Sequence, residues 1–195
     1  MAQDRNRDRD YGFGTRAIHA GAIPDPVTGA RATPIHQTTS FVFDNAEHAS
    51  SLFNLQTFGN VYSRISNPTV AVLEERVASL EGGRAALACG SGMAAQMTAL
   101  LAILKAGDHI VAASTLYGGS VGQLGLGFER LGIHTTFVDP ADPDNFRRAM
   151  RPNTRAVYGE TLGNPLVNVF DIEAVAAVAH EHGVPLVIDN TVASP

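Results

Sequence analysis

Gly90-Ser91-Gly92-Met93-Ala94 is the first place where residue types and spacing point to chemistry. The apolar run 85–89 (AALAC) predicts a short buried strand, and the glycines predict a sharp turn. Beyond it Met97, Leu100, Leu101 and Leu104 fall at helical spacings. A helix N-terminus offers unpaired N–H groups and partial positive charge, and small residues let an anion come close to them. The stretch therefore reads either as a cup for a phosphate or as a turn whose glycines serve close packing. Three further stretches place polar groups at the ends of apolar runs: 115–119, 160–165 and 189–191.

The elements that would position these groups follow from periodicity. Strands are predicted at 109–113, 134–139, 155–160 and 185–189, and helices at 119–131, 144–150 and 171–182. Asp144 and Asp171 are the expected caps of the last two. Upstream, Asn67-Pro68 opens a helix with an apolar stripe of Val70, Leu73, Val77 and Leu80, closed by Gly82-Gly83. A shorter helix is expected over 44–55, with Asp44 as cap and Glu47 at capping-box spacing. Residues 1–35 read as an irregular arm, with Arg and Asp alternating over 4–10 and Pro24, Pro26, Gly29 and Pro34 punctuating the rest. The β–α–β alternation predicts an α/β fold, a mostly parallel sheet with helices on both faces. Ligands on such sheets bind beyond the carboxyl ends of the strands, where all four chemistry-bearing stretches fall. That convergence favours the phosphate cup.

Composition narrows the class. The chain has 195 residues, 45% hydrophobic and 17% charged, with a net charge of −5. No basic cluster accompanies that acidity, so nucleic acid is not an expected partner. A single cysteine, Cys89, leaves no disulfide framework and fits a reducing cytosol. No run is long and apolar enough for a bilayer, so a cytoplasmic location is expected. The seven histidines contain no H-E-x-x-H, and no metal site is predicted. Gly90-Ser91-Gly92 lacks the serine-hydrolase elbow, because Cys89 occupies one flank. A nicotinamide fingerprint, Gly90 to Ala95, lacks its acid: Asp108 precedes the next strand instead of ending it. Thirteen of the fourteen basic residues are Arg; the sole lysine, Lys105, is expected at the end of the central helix, with Gly107 just past it.

Taken together, TRAIHAG (15–21), PIHQTTSFVF (34–43), YSRISNP (62–68), residues 80–95 and 107–119, ETLGNP (160–165) and LVIDNT (186–191) carry a resemblance. The chain resembles the N-terminal half of the pyridoxal-phosphate enzymes of cysteine and methionine metabolism, the cystathionine γ-synthase and γ-lyase group. Within it the sulfhydrylase branch is the nearest in pattern. The resemblance implies the large domain of a fold-type I pyridoxal-phosphate transferase, with 1–67 as an arm and oligomer-contact segment and 68–195 as the first part of the cofactor domain. It implies that Ser91, Gly92 and Met93 hold the cofactor phosphate, Tyr117 stacks on the pyridine ring, Asn164 bonds the ring hydroxyl and Asp189 pairs with the ring nitrogen. It further implies that Tyr62 and Arg64 reach the phosphate of a neighbouring subunit in a homotetramer whose active sites are shared. The implied reaction is γ-replacement on O-acetyl-L-homoserine with sulfide, giving L-homocysteine and acetate. Cystathionine γ-synthase, cystathionine γ-lyase and methionine γ-lyase activities are the alternatives. In this family the Schiff-base lysine follows the VIDNT segment, which places it beyond Pro195. The chain is therefore expected to be a piece that lacks this lysine and is inactive alone, or a non-catalytic piece that assembles with full-length subunits.

Overall fold

A computed structural model describes residues 11–195, so the Arg/Asp alternation over 4–10 lies outside the described residues. The chain divides into two compact units, one running to Ala88 and including Pro195, the other from Cys89 to Ser194.

The first unit is helical. Helix α1 (Phe13–His19) lies within the segment expected to be irregular. It is tied to helix α3 (Pro68–Glu81) by the Arg16 guanidinium, which donates to the Ser79 carbonyl, and by Arg76 Nε, which donates to the Ala20 carbonyl at 3.0 Å. These tertiary bonds order a segment whose local sequence has little helical pattern. Asn67 caps α3 as expected, its Oδ1 accepting the Thr69 N–H at 2.9 Å, and Gly82 ends the helix in the left-handed conformation. The predicted stripe is not covered: Val70 and Leu73 are exposed, and Ala78 is the buried side chain of this helix. Helix α2 (Ala46–Phe53) begins one residue later than expected. Asn45, not Asp44, caps it by accepting the His48 N–H at 2.7 Å, while Asp44 pairs with the His48 ring at 3.2 Å.

Residues 85–89 are a correction. They form no strand and are mostly exposed. The Ala88 N–H, which a strand would spend on a sheet ladder, donates instead to Glu74 Oε1 at 2.8 Å.

The second unit has the predicted α/β architecture. Helix α4 (Gly92–Leu101) is followed by β1 (His109–Ala113), α5 (Gly118–Gly122), β2 (His134–Val138), α6 (Pro143–Ala149), β3 (Thr154–Glu160), α7 (Ile172–Glu181) and β4 (Leu186–Asp189). All four strands are parallel, in the order β2-β1-β3-β4. Every residue of β1 is buried, which explains why its sequence, HIVAA, is a nearly unbroken apolar run. Alternation along β3 shows both faces covered. Tyr158 reaches Gln96 of α4, whereas the neighbouring Gly159 faces Phe170, whose ring packs edge-on against Phe146 of α6. A Cβ at Gly159 would lie 2.6 Å from the Phe170 ring, so a larger residue there would push β3 away from Phe170.

Three local details differ from the sequence reading. The region 119–131 is a short helix running into a π-helical turn at Gln123–Gly127. Helix α6 is capped by Asp142, whose side chain accepts the Asp144 N–H, with Pro143 at the first helical position. Helix α4 ends at Leu101, so Lys105 is not in its last turn: it sits in the turn before β1, its N–H donating to Asp108 Oδ2 at 2.9 Å. Gly107 completes that turn at φ +91°, which a residue with a side chain rarely adopts.

Candidate active site

The second unit contains a cavity of about 400 Å³ at the carboxyl rim of the sheet. It is lined by Ser91, Gly92 and Met93 at the start of α4, Tyr117 after β1, Glu160 and Asn164 after β3, and Asp189 at the end of β4. Six of the eight site residues expected from the sequence are thereby brought together: Ser91, Gly92, Met93, Tyr117, Asn164 and Asp189. The other two, Tyr62 and Arg64, belong to the first unit, where both are exposed and the Arg64 guanidinium lies 5.5 Å from the centre of the Tyr62 ring. Lys105 does not line the cavity and sits at the opposite, amino end of β1. Asp108, the acid in the wrong place for a nicotinamide ribose, sits at that same end. After β4, Thr191 and Val192 still line the cavity.

The start of α4 bears on the choice left open for the glycines. Ser91 caps the helix, its Oγ accepting the Ala94 N–H at 3.1 Å. A Cβ added at Gly90 or at Gly92 would meet nothing within 4 Å. The glycines are therefore not required for packing inside this unit. They leave the start of α4 open beside the cavity, as an anion cup requires.

The polar rim is held by bonds between distant strand ends. Glu160 Oε1 accepts the Tyr117 N–H at 2.8 Å, which fixes the backbone from which the half-exposed Tyr117 ring projects. The Asn164 loop is pinned to the same turn: the Asn164 N–H donates to the Thr115 carbonyl, and Asn168 Nδ2 to Thr115 Oγ1, both at 3.3 Å. The Asn164–Pro165 peptide is cis. Asp189 Oδ1 accepts the Thr191 N–H at 2.9 Å and the Thr191 hydroxyl at 2.5 Å, which orients the carboxylate at the rim. Glu160 and Asp189 are register partners on β3 and β4, so two carboxylates stand side by side. Burial, reinforced by Asp189, pushes the Glu160 carboxyl above its ordinary range, against the pull of the Tyr117 N–H and the Ser120 hydroxyl.

Glu160 is the site residue the sequence reading left without a role. Its signal was present, an acid at the end of a predicted strand, but its partner is 43 residues away in sequence. Leu162, Val167 and Val192 add an apolar wall that no motif announces.

A parallel sheet with an anion-accepting helix start, an exposed aromatic ring and an oriented carboxylate on one rim defines a cofactor-binding α/β protein. A model of the family of Cys/Met metabolism PLP-dependent enzymes matches residues 14–195, and the chain belongs to that family. It is 57% identical over 187 residues to the O-acetyl-L-homoserine sulfhydrylase of Leptospira meyeri, covering 96% of this chain and 42% of that protein. It is 52% identical over 192 residues to the enzyme of the same name from Corynebacterium glutamicum, covering 98% and 44%. Among solved structures, a Campylobacter jejuni protein containing N′-pyridoxyl-lysine-5′-monophosphate superposes with a TM-score of 0.92 at 35% identity, covering 95% of this chain and 46% of that one. Cystathionine gamma-lyase from Lactobacillus plantarum, complexed with L-serine, gives 0.85 at 36%, with the same coverage. The chain thus spans less than half the length of these relatives.

The cavity residues fit the family's cofactor. The open cup suits its phosphate, the flat Tyr117 ring its heterocycle, the Asn164 amide a ring hydroxyl, and the Asp189 carboxylate a protonated ring nitrogen. About 400 Å³ also falls within the roughly 300–1,000 Å³ typical of small-molecule sites.

Proposed function

We propose that this chain is the cofactor bed of an enzyme that converts O-acetyl-L-homoserine and sulfide into L-homocysteine and acetate. The observation that carries the reading is the meeting of Gly92, Tyr117, Asn164 and Asp189 around one cavity. The high identity to two O-acetyl-L-homoserine sulfhydrylases supports that choice of substrates.

In this reading Ser91, Gly92 and Met93 hold the phosphate through backbone N–H groups and the helix dipole. Tyr117 covers one face of the pyridine ring and keeps water from it. Asn164 donates to the ring hydroxyl. The negative charge of Asp189 holds a proton on the ring nitrogen, because an adjacent carboxylate favours the charged form of a base. Bound pyridoxal phosphate supplies an electron sink for charge developing at the α and β carbons of the amino acid. The anchoring amine is proposed to come from outside this chain, since the sole lysine is at the other end of the sheet. Taken alone, the 195 residues are therefore expected to be inactive.

Residues 1–67 are proposed as an oligomer-contact segment in a cytoplasmic homo-oligomer, with Tyr62 and Arg64 extended toward a neighbouring subunit's cofactor phosphate. The planar guanidinium of Arg64 suits a phosphate, and its exposure leaves it available.

The test is product analysis on the full-length protein with pyridoxal phosphate, O-acetyl-L-homoserine and either sulfide or L-cysteine. Homocysteine and acetate from sulfide, abolished by Asp189→Ala, are expected. Cystathionine as the main product, or no cofactor binding, overturns the proposal.

A further inference from the structure

Beneath the rim lies a polar group for which no role has been given. Gln96, in the second turn of α4, is 7% exposed. Two hydroxyls converge on one atom of its side-chain amide: Tyr158 Oη of β3 at 3.0 Å and Ser120 Oγ of α5 at 3.1 Å. The other amide atom is buried with no partner among the described residues. An amide has two orientations of nearly identical shape, so the hydrogen-bond inventory decides between them.

With oxygen toward the hydroxyls, both hydroxyl protons are spent on it and an amide nitrogen with two protons is buried unpaired. That is a costly arrangement. With nitrogen toward them, its two protons meet two acceptors. What remains unpaired is then a carbonyl oxygen, the less rare and cheaper orphan. Both hydroxyl protons are also set free, and two carboxylates stand on the same face of the β3–β4 pair as Tyr158. Tyr158 is two residues before Glu160 on the same face of β3, and Glu160 stands beside Asp189. Burial, followed by the charge of Asp189, raises the Tyr158 hydroxyl above its ordinary range against the pull of Ser120, and Ser120 also pulls the Glu160 carboxyl down.

We propose that Gln96 is a positioning residue. Its amide nitrogen donates to Tyr158 Oη and Ser120 Oγ, turning the Tyr158 proton toward Asp189 and the Ser120 proton toward Glu160. One side chain thereby orients both carboxylates of the rim: Asp189, which faces the ring nitrogen, and Glu160, which fixes Tyr117. The consequence for the cofactor rests on the function proposed above; the orientation of the amide does not.

Two measurements test this separately. Neutron diffraction from crystals of the cofactor-free, full-length protein should show two deuterons on the Gln96 atom facing Tyr158 and Ser120, and the Tyr158 deuteron directed at Asp189. An oxygen at that position overturns the proposal. In the full-length protein, equilibrium dialysis with pyridoxal phosphate should rank two variants in an order that packing alone would not produce. Gln96→Met removes both amide donors without adding an acceptor and should lose about threefold in affinity. Gln96→Glu keeps the shape but draws both protons to itself, and should lose about tenfold. Glutamate binding as tightly as wild type, or methionine weaker than glutamate, overturns the proposal. If Gln96→Glu fails to fold, the neutron result decides. Wild-type protein that takes up no pyridoxal phosphate defeats the functional reading and leaves the amide orientation to the diffraction result.

Discussion

Glu160 accepts the backbone N–H of Tyr117 at 2.8 Å and so couples the end of β3 to the turn after β1. The bond holds the aromatic side chain by its main chain, leaving the ring itself free to meet a ligand. Glu160→Ala should strand that N–H, at a cost of about 1–3 kcal/mol, and loosen the turn. Glu160→Gln keeps a carbonyl acceptor and should restore most of the loss. Amide hydrogen exchange at Tyr117 checks this: it should accelerate in the alanine variant and stay near wild type in the glutamine variant.

Gly92 separates packing from ligand binding. A Cβ there meets nothing, so Gly92→Val should leave the melting temperature within a few degrees of wild type. Its side chain would project into the space where a phosphate approaches the helix start. Pyridoxal phosphate affinity of the full-length protein should fall by at least tenfold; unchanged affinity would mean that the anion is held elsewhere.

Gly163 is the opposite case. An added Cβ would lie 2.7 Å from Thr115 Oγ1 and would also strike the Asn168 side chain, the two groups that pin the Asn164 loop. Gly163→Ala should cost about 1–3 kcal/mol by overpacking and displace Asn164. A melting curve and a crystal structure of the variant test both effects.

His109 sets a pH dependence of stability unrelated to the site. The ring is fully buried between Thr154 Oγ1 and Thr136 Oγ1, both at 2.8 Å, and burial, helped by Arg151 and His134, lowers its pKa to about 4. The unfolded chain binds this proton near pH 6.5, whereas the native state resists it down to about 4. The stabilisation is therefore complete above pH 6.5 and drains away as pH falls from 6.5 to 4, by about 3 kcal/mol at most. Urea unfolding at pH 7.5, 6 and 5 should show the decline, and His109→Gln should flatten it.

Much of this architecture is readable from local pattern, and the misses share one cause. The strand at His109–Ala113 is a nearly unbroken apolar run that a sheet covered on both sides buries, and Thr154–Glu160 and Leu186–Asp189 carry shorter apolar stretches of the same kind. Asn67 and Asp171 are caps whose bonds span two or three residues, within reach of sequence reasoning. Asp44 and Asp144 failed as caps because a competing side chain one or two residues away took the helix N–H. Residues 85–89 have a strand's composition, but among the described residues no strand pairs with them, and pairing is a property of the partner. Gln96 escaped notice because a lone amide in an apolar helix has no spacing to betray it. Its partners arrive from 24 and 62 residues away.

Among the described residues β4 is bonded to β3 alone, while β3 has a neighbour on each side. Glu160, the register partner of Asp189, ties the strand that carries that carboxylate to the turn that carries Tyr117. The aromatic and both rim carboxylates therefore hang on one strand pair, and a change in the β3–β4 ladder reaches the whole polar rim at once.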